Sequence, residues 1–212
     1  MARRAERHGA GASAARPRPA VFLDRDGVLV EPVPRSRRGR PEAPHDAAQV
    51  RLVAGAAAGL RALRDAGWLL VGVSNQPGAA KGETDCATLR SVHEQVVALL
   101  AEHDVALDDW RYCPHHPDAV VAKLRGPCSC RKPEPGLLLA AADALAIELS
   151  ASWMIGDGDA DVGAGRAARV RTILIDHPAS GHRRAAVVEP SARASDLSHA
   201  AAIVGRAGRG ML

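Results

Sequence analysis

Apolar and polar positions along the chain follow two alternating periods. Short continuous apolar runs at Ala20–Leu23, Trp68–Val73, Trp153–Ile155 and Val170–Ile175 have the length of buried strands, and Asp109–Tyr112 reads as a shorter one. Helical spacing separates them. Ala54–Ala66 carries Leu60 and Leu63 on one face and stops at Gly67, a residue suited to a helix C-cap. Glu83–His103 carries an apolar stripe at Leu89, Val92, Val96, Leu99 and Leu100, and Cys86 on the same helix reads as a buried apolar residue. Further helices are predicted over Gly136–Leu149, Asp159–Ala168 and Leu197–Val204, whereas residues 31–50 and 113–135 lack periodicity. Strands alternating with helices predict an α/β fold, a doubly wound parallel sheet of the Rossmann-like kind. In such a sheet ligands bind beyond the carboxyl ends of the strands.

Composition narrows the partners. The chain has 212 residues, enough to bury a sizeable core in one domain. Its aromatics are Phe22, Trp68, Trp110, Tyr112 and Trp153 alone, too few for base-stacking platforms. The net charge of +4 is carried by residues 1–19, where Arg3, Arg4, Arg7, Arg16 and Arg18 face only Glu6. The rest of the chain is balanced, so the charge describes a tail and no nucleic-acid surface is expected. Arg3-Arg4 is not followed by the apolar segment of an export signal. No run approaches the roughly 18 apolar residues of a membrane span. The expectation is a cytoplasmic protein without membrane contact. It divides into a disordered basic tail (1–19), one domain (20–205) and a flexible C-terminus (206–212). Nothing in the sequence sets the oligomeric state, and a monomer is taken as the default.

Three predicted strands end in polar groups. Asp24 and Asp26 follow the first, with Gly27 permitting a sharp reversal. Two acids so close repel each other unless a cation or a shared proton compensates. One could attack an electrophile while the other moves a proton, although an Asp-Gly turn would show the same residues. Ser74 and Asn75 follow the second strand and could hold a phosphoryl oxygen or simply form a turn. Asp157, Asp159 and Asp161 follow the third, a density of acids that a hard cation such as Mg²⁺ explains, while Asp159 could cap the next helix. Lys132 precedes Pro133, which biases its backbone away from the helical region and lets its side chain project inward. There it could neutralise charge on a transferring phosphoryl group, although an isolated lysine is commonly solvated.

Cys113, His115, Cys128 and Cys130 form a second constellation with the donor types of a tetrahedral Zn²⁺ site. His116 could replace His115. A disulfide is the competing account, but three cysteines would leave one unpaired. Four protein ligands leave no open position, so the metal would be structural. Folding around it would also fix Arg131 and Lys132, which follow Cys130 at once.

In their order, Asp24-x-Asp26-Gly27, Ser74-Asn75, Lys132-Pro133 and Gly156-Asp157-x3-Asp161 resemble the four motifs of haloacid-dehalogenase-like phosphatases. The stretches around Ser74–Gly82, Tyr112–Pro117 and Cys128–Gly136 are similar to the subgroup that contains the D-glycero-D-manno-heptose-1,7-bisphosphate 7-phosphatases and related histidinol-phosphatases. The resemblance covers roughly residues 20–176 and implies a capless, Mg²⁺-dependent phosphomonoesterase with a zinc-stapled loop. It implies Asp24 as nucleophile, and Asp26 as general acid and base with its main-chain carbonyl on Mg²⁺. Ser74 and Lys132 would hold the phosphoryl group, Asp157 would bind Mg²⁺ and Asp161 would support the metal site. Asn75, Gln76 and Arg131 would meet a small phosphorylated metabolite such as a sugar bisphosphate, and His115 would be the zinc-ligating histidine. The sequence departs from the subgroup at Glu31–Arg40 and at Gly158, where a lysine is common. The arginines at 35, 37, 38 and 40 suit the second phosphate of a bisphosphate, or else a solvated loop.

Overall fold

The computed structural model describes residues 17–34, 39–185 and 188–209, with side chains through residue 207. Five strands and a short sixth form one parallel sheet. They are β1 (Ala20–Leu23), β4 (Leu69–Asn75), β5 (Asp109–Cys113), β6 (Trp153–Gly156), β7 (Arg171–Ile175) and β8 (Ala192–Ala194), in the order β5-β4-β1-β6-β7-β8. A two-stranded antiparallel hairpin, β2 (Val33–Pro34) and β3 (Pro41–Glu42), rises from the loop after β1. No helical domain is inserted there among the described residues.

Period-two alternation in β1 sends Val21 and Leu23 to one face of the sheet and Ala20 and Phe22 to the other, and all four are fully buried. On the first face lie α1 (Ala56–Asp65), α2 (Cys86–Ala101) and α5 (Leu197–Arg209), through Leu60, Leu63, Val92, Val96, Leu100, Leu197 and Val204. On the second lie α3 (Gly136–Leu145) and α4 (Asp159–Ala167), through Leu137, Leu138, Ala141 and Ala164. Both faces of the sheet are covered, as a parallel sheet requires. No helix among the described residues is long and apolar enough to cross a membrane.

The chain leaves β1 for β4 and β5 on one side, then returns to β6 on the other. That reversal opens a crevice at the carboxyl end of β1. Val21 pairs with Leu70 and with Trp153. This register brings the ends of β1, β4 and β6, and the polar residues after them, to one rim.

Several elements differ from expectation. Cys86 is exposed: it is the first residue of α2, beside the Asp85 cap whose carboxylate accepts from Thr88 N at 2.7 Å. Ser74 and Asn75 belong to β4 and not to a turn. The third helix stops at Leu145 because Ala146 turns into the left-handed region (φ 51°). The last helix continues past Val204 to Arg209. β8 and the 3₁₀ turn Pro178–Arg183 have no apolar period and were not foreseen. Of the basic tail, Arg18 and Pro19 are attached to the domain, with Arg18 N donating to Ala146 O at 3.1 Å. The tail from 1 to 16, residues 35–38 and residues 210–212 lie outside the described residues.

Candidate active site and metal sites

The polar residues at the strand ends line one cleft of about 400 Å³, among them Asp24, Asp26, Ser74, Asn75, Gln76, Arg131, Lys132, Asp157 and Asp161. Asp24 is nearly buried after β1, where Oδ1 accepts from Arg25 N at 2.7 Å and faces Lys132 Nζ at 2.9 Å. Among the described residues these contacts engage Oδ1 alone. Gly27 sits at φ 92°, and a Cβ there would lie 1.9 Å from Asp157 Oδ2. Only glycine lets the loop after β1 close against the carboxylate after β6.

Lys132 is the electrostatic hub. Its ammonium meets Asp24 Oδ1, lies 2.6 Å from Asp161 Oδ1 and donates to Val73 O at 2.7 Å. Burial opposes its charge, but Asp161 and Asp24 outweigh it and hold the lysine well above its usual pKa. In return, Lys132 and Arg183 overcome the desolvation of Asp24 and keep that carboxyl below the usual range. Asn75 fixes the lysine's main chain, since Nδ2 donates to Lys132 O and Oδ1 accepts from Lys132 N, both at 3.0 Å. The Lys132–Pro133 peptide is cis.

Asp26 is held at both oxygens: Oδ1 by Arg25 Nε at 3.1 Å, Oδ2 by Gln76 Nε2 at 2.6 Å. Gln76 also donates to Ser74 Oγ at 3.0 Å and accepts from Arg25 Nη2 at 2.8 Å. Ser74 therefore keeps its own hydroxyl hydrogen to donate. The side-chain amides of Asn75 and Gln76 are thus hydrogen-bonded to Lys132, Asp26, Ser74 and Arg25.

Asp24, Asp157 and Asp161 bring carboxylate oxygens within 4.8 Å of one another, all buried. Burial first, and then the charges of Asp24 and Asp161, push Asp157 up to about 7 even beside Arg183. Asp24, Asp26, Asp157 and Asp161 face Lys132, Arg25 and Arg183, so ionising all four carboxyls would leave the cluster with an excess of negative charge. A divalent cation fits that excess, and the hard oxygen donors suit Mg²⁺. Asp159 does not cap α4; that position belongs to Gly158, whose N–H donates to Asp161 Oδ2 at 3.1 Å, while Asp159 accepts from Ala185 N.

Three functional neighbours were not visible in the sequence. Arg25 is fully buried and locks Asp26, yet between two acids it resembles any surface arginine. Ser180 and Arg183 come from the 3₁₀ turn after β7. Ser180 Oγ donates to Asp157 Oδ2, and Arg183 Nη1 donates to Asp26 O at 3.1 Å and Asp157 Oδ2 at 3.2 Å. No periodicity marks that turn. Of the arginines predicted to meet a second phosphate, those at 35, 37 and 38 lie outside the described residues, and Arg40 is exposed.

Cys113, His115, Cys128 and Cys130 converge at the end of β5, with Sγ–Sγ separations of 3.1, 3.5 and 3.7 Å. His115 Nδ1 lies 3.6 Å from Cys113 Sγ and 3.4 Å from Cys130 Sγ. Tetrahedral ligands of Zn²⁺ would be about 3.5–3.8 Å apart given Zn–S and Zn–N lengths of about 2.3 and 2.0 Å. Burial pushes the Cys113 thiol up, so a thiolate there requires a cation. His116 is turned away, its Nδ1 accepting from Asp118 N at 3.0 Å. Arg131 Nη1 donates to His115 O at 2.9 Å, which ties a cleft arginine directly to this cluster.

The chain is 40% identical over 157 residues to the D-glycero-beta-D-manno-heptose-1,7-bisphosphate 7-phosphatase of Escherichia coli K12, covering 74% of this chain and 78% of that one. It belongs to that family. The relative of the same name from Vibrio cholerae is 36% identical over 158 residues, covering 74% of this chain and 81% of that one. The HAD-hydrolase-like family model matches residues 129–200. Among solved structures, the D,D-heptose 1,7-bisphosphate phosphatase from B. bronchiseptica, complexed with magnesium and phosphate, superposes with a TM-score of 0.74 at 25% identity. That match covers 89% of this chain and 99% of the other. The parallel six-stranded sheet agrees with that similarity in fold.

Proposed function

We propose that this chain is a Mg²⁺-dependent phosphomonoesterase that removes the 7-phosphate of D-glycero-D-manno-heptose 1,7-bisphosphate through an aspartyl-phosphate. The observation that carries the proposal is the pairing of Asp24, engaged through Oδ1 alone among the described residues, with a doubly held Asp26 two residues on. It occurs in a chain 40% identical to phosphatases of that name.

Asp24 attacks phosphorus, and the ester P–O bond breaks as Asp26 gives its proton to the departing sugar oxygen. Asp26, now a carboxylate, takes a proton from water. That water attacks phosphorus, the bond to Asp24 breaks and inorganic phosphate leaves. Lys132 and the Ser74 hydroxyl bind the phosphoryl oxygens, and Lys132 keeps Asp24 ionised. Asp24, Asp157 and the main-chain carbonyl of Asp26 would hold Mg²⁺, with Asp161 supporting the site. When bound, the ion supplies neutralisation of phosphate charge. Arg131, with Lys81 and His116 on the same cleft wall, is placed to meet the phosphate that does not react. Cys113, His115, Cys128 and Cys130 would hold a structural Zn²⁺ that sets the position of Arg131.

The test is a substrate screen of the purified full chain with Mg²⁺, comparing heptose 1,7-bisphosphate, histidinol phosphate and heptose 7-phosphate. Preference for the bisphosphate is expected. Preference for histidinol phosphate would overturn the substrate while leaving the chemistry. In the same assay Asp24→Asn should lower turnover about 10³-fold or more on every substrate. Retained turnover would overturn the nucleophile.

A further inference from the structure

Arg183 stands on two of the three groups assigned above to the metal ion, Asp157 and the Asp26 carbonyl. Arg183 ends the Pro178–Arg183 turn, and its Nη1 contacts Asp26 O at 3.1 Å and both oxygens of Asp157, at 3.2 and 3.4 Å. Its side chain is about one quarter exposed, on the wall of the cleft. Gly158 makes room for it: a Cβ at 158 would lie 3.1 Å from Arg183 Cβ and 3.4 Å from Arg183 O. The turn is anchored independently of the guanidinium. Arg184 ties it to Asp176 at 2.7 Å and to His177 O, and Ser180 donates to Asp157. The Arg183 side chain can therefore leave while its backbone stays.

A hard cation would take the Asp26 carbonyl and an Asp157 oxygen as direct ligands in place of these contacts. A guanidinium and a divalent ion on one pair of acceptors share the same lone pairs and repel at close range in a poorly screened site. Lys132 differs in this respect, because its contacts are Asp24 Oδ1, Asp161 and Val73 O and include neither Asp157 nor the Asp26 carbonyl. Arg25 is likewise committed to the side chains of Asp26 and Gln76.

We propose that Arg183 is an internal cation competing with the divalent ion, so that ion binding requires its guanidinium to withdraw from Asp26 O and Asp157. This rests on the Mg²⁺ reading of the preceding section. It makes the measured ion affinity weaker than the carboxylates alone would give, by the free energy of displacing the arginine.

Isothermal titration of Mg²⁺ into the wild-type full chain and Arg183→Met tests the proposal directly. Met keeps an apolar stem and removes the charge. The variant should bind Mg²⁺ about 10-fold or more tightly, and its melting temperature in Mg²⁺-free buffer should fall. Affinity that is unchanged or weaker in Arg183→Met overturns the proposal. A second measurement uses the wild type alone. The Arg183 guanidinium Nη–H resonances, assigned by their absence in Arg183→Lys, should exchange with solvent faster once Mg²⁺ is added. An unaltered exchange rate overturns the proposal even if the methionine variant fails to fold. A wild-type chain that binds no Mg²⁺ overturns the metal reading itself. One that binds Mg²⁺ while Arg183→Met gains nothing overturns only the competition.

Discussion

Asp26 has no rotational freedom left: Arg25 Nε holds one carboxylate oxygen at 3.1 Å and Gln76 Nε2 the other at 2.6 Å. A proton donor gains from such fixing, because the leaving oxygen must arrive within hydrogen-bond reach of it. Its contribution depends on how poor the leaving group is, and that separates it from Asp24. A sugar alkoxide needs the proton, whereas a nitrophenolate departs without it. Asp26→Asn should therefore lower turnover of a sugar phosphate by about 10²–10⁴-fold. With p-nitrophenyl phosphate the same variant should release a burst of about one nitrophenolate per site and then turn over slowly, because Asp26 also activates the water of the second step. Rapid-quench measurement reads both phases. A variant that shows no burst places Asp26 in the first step regardless of leaving group and removes the assigned asymmetry.

At the scale of elements, the two irregular stretches of the sequence matter most. After the end of β5 at Cys113, the segment up to 135 holds one 3₁₀ turn, Ala122–Leu124, and an isolated bridge between His116 and Arg125, and its half-buried Cys128 and Cys130 pack at the edge of the second core cluster. Cys113, His115, Cys128 and Cys130 converge within it. Cys128→Ser should lose the zinc measured by atomic absorption. Hydrogen exchange should then rise across 113–135 and not in β1 or β6, and KM for a bisphosphate should rise more than kcat falls, through the Arg131–His115 link. Retained zinc would refute the ligand set. Five strands of the sheet, the α-helices and the four motif positions were legible because apolar periodicity and strand-end acids are local signals. Cys86 was misread because one residue of helix phase separates a buried position from the exposed one after the Asp85 cap. Asn75 and Gln76 could be placed at the site, but their service to Lys132 and Asp26 depends on partners about 50 residues away. Arg183 and Ser180 come from a turn with no period, brought to Asp157 only by the sheet order.

For the molecule as a whole, the doubly wound sheet collects acids from β1, β6 and α4 into one buried place, and this charge density is a burden on the fold. Asp157 shows the conflict most clearly. Burial foremost, with the charges of Asp24 and Asp161, raises its pKa from 3.8 to about 7. A carboxyl raised in this way contributes stability that is complete below its unfolded pKa and is lost as pH rises through about 7. Above that pH, in Mg²⁺-free buffer, the folded chain carries an ionised Asp157 that it holds less comfortably than the unfolded chain does. Asp157→Asn keeps an acceptor for Ser180 and Arg183 and removes the charge. Its melting temperature should equal or exceed that of the wild type at pH 8, with the difference shrinking toward pH 5. Mg²⁺ should reverse the order. At a hundredfold excess over its dissociation constant, an ion bound only by the folded state adds about 2.7 kcal/mol. For a chain of this size that corresponds to roughly 5–10 °C. The wild type should gain that increment while Asp157→Asn gains little of it. Calorimetry of both proteins at two pH values, with and without Mg²⁺, reads all of these quantities. A variant less stable than the wild type at pH 8 without Mg²⁺ would show that the cluster is not short of positive charge. The wild-type carboxylate would then be structural, and the trade of stability for function at this rim would not exist.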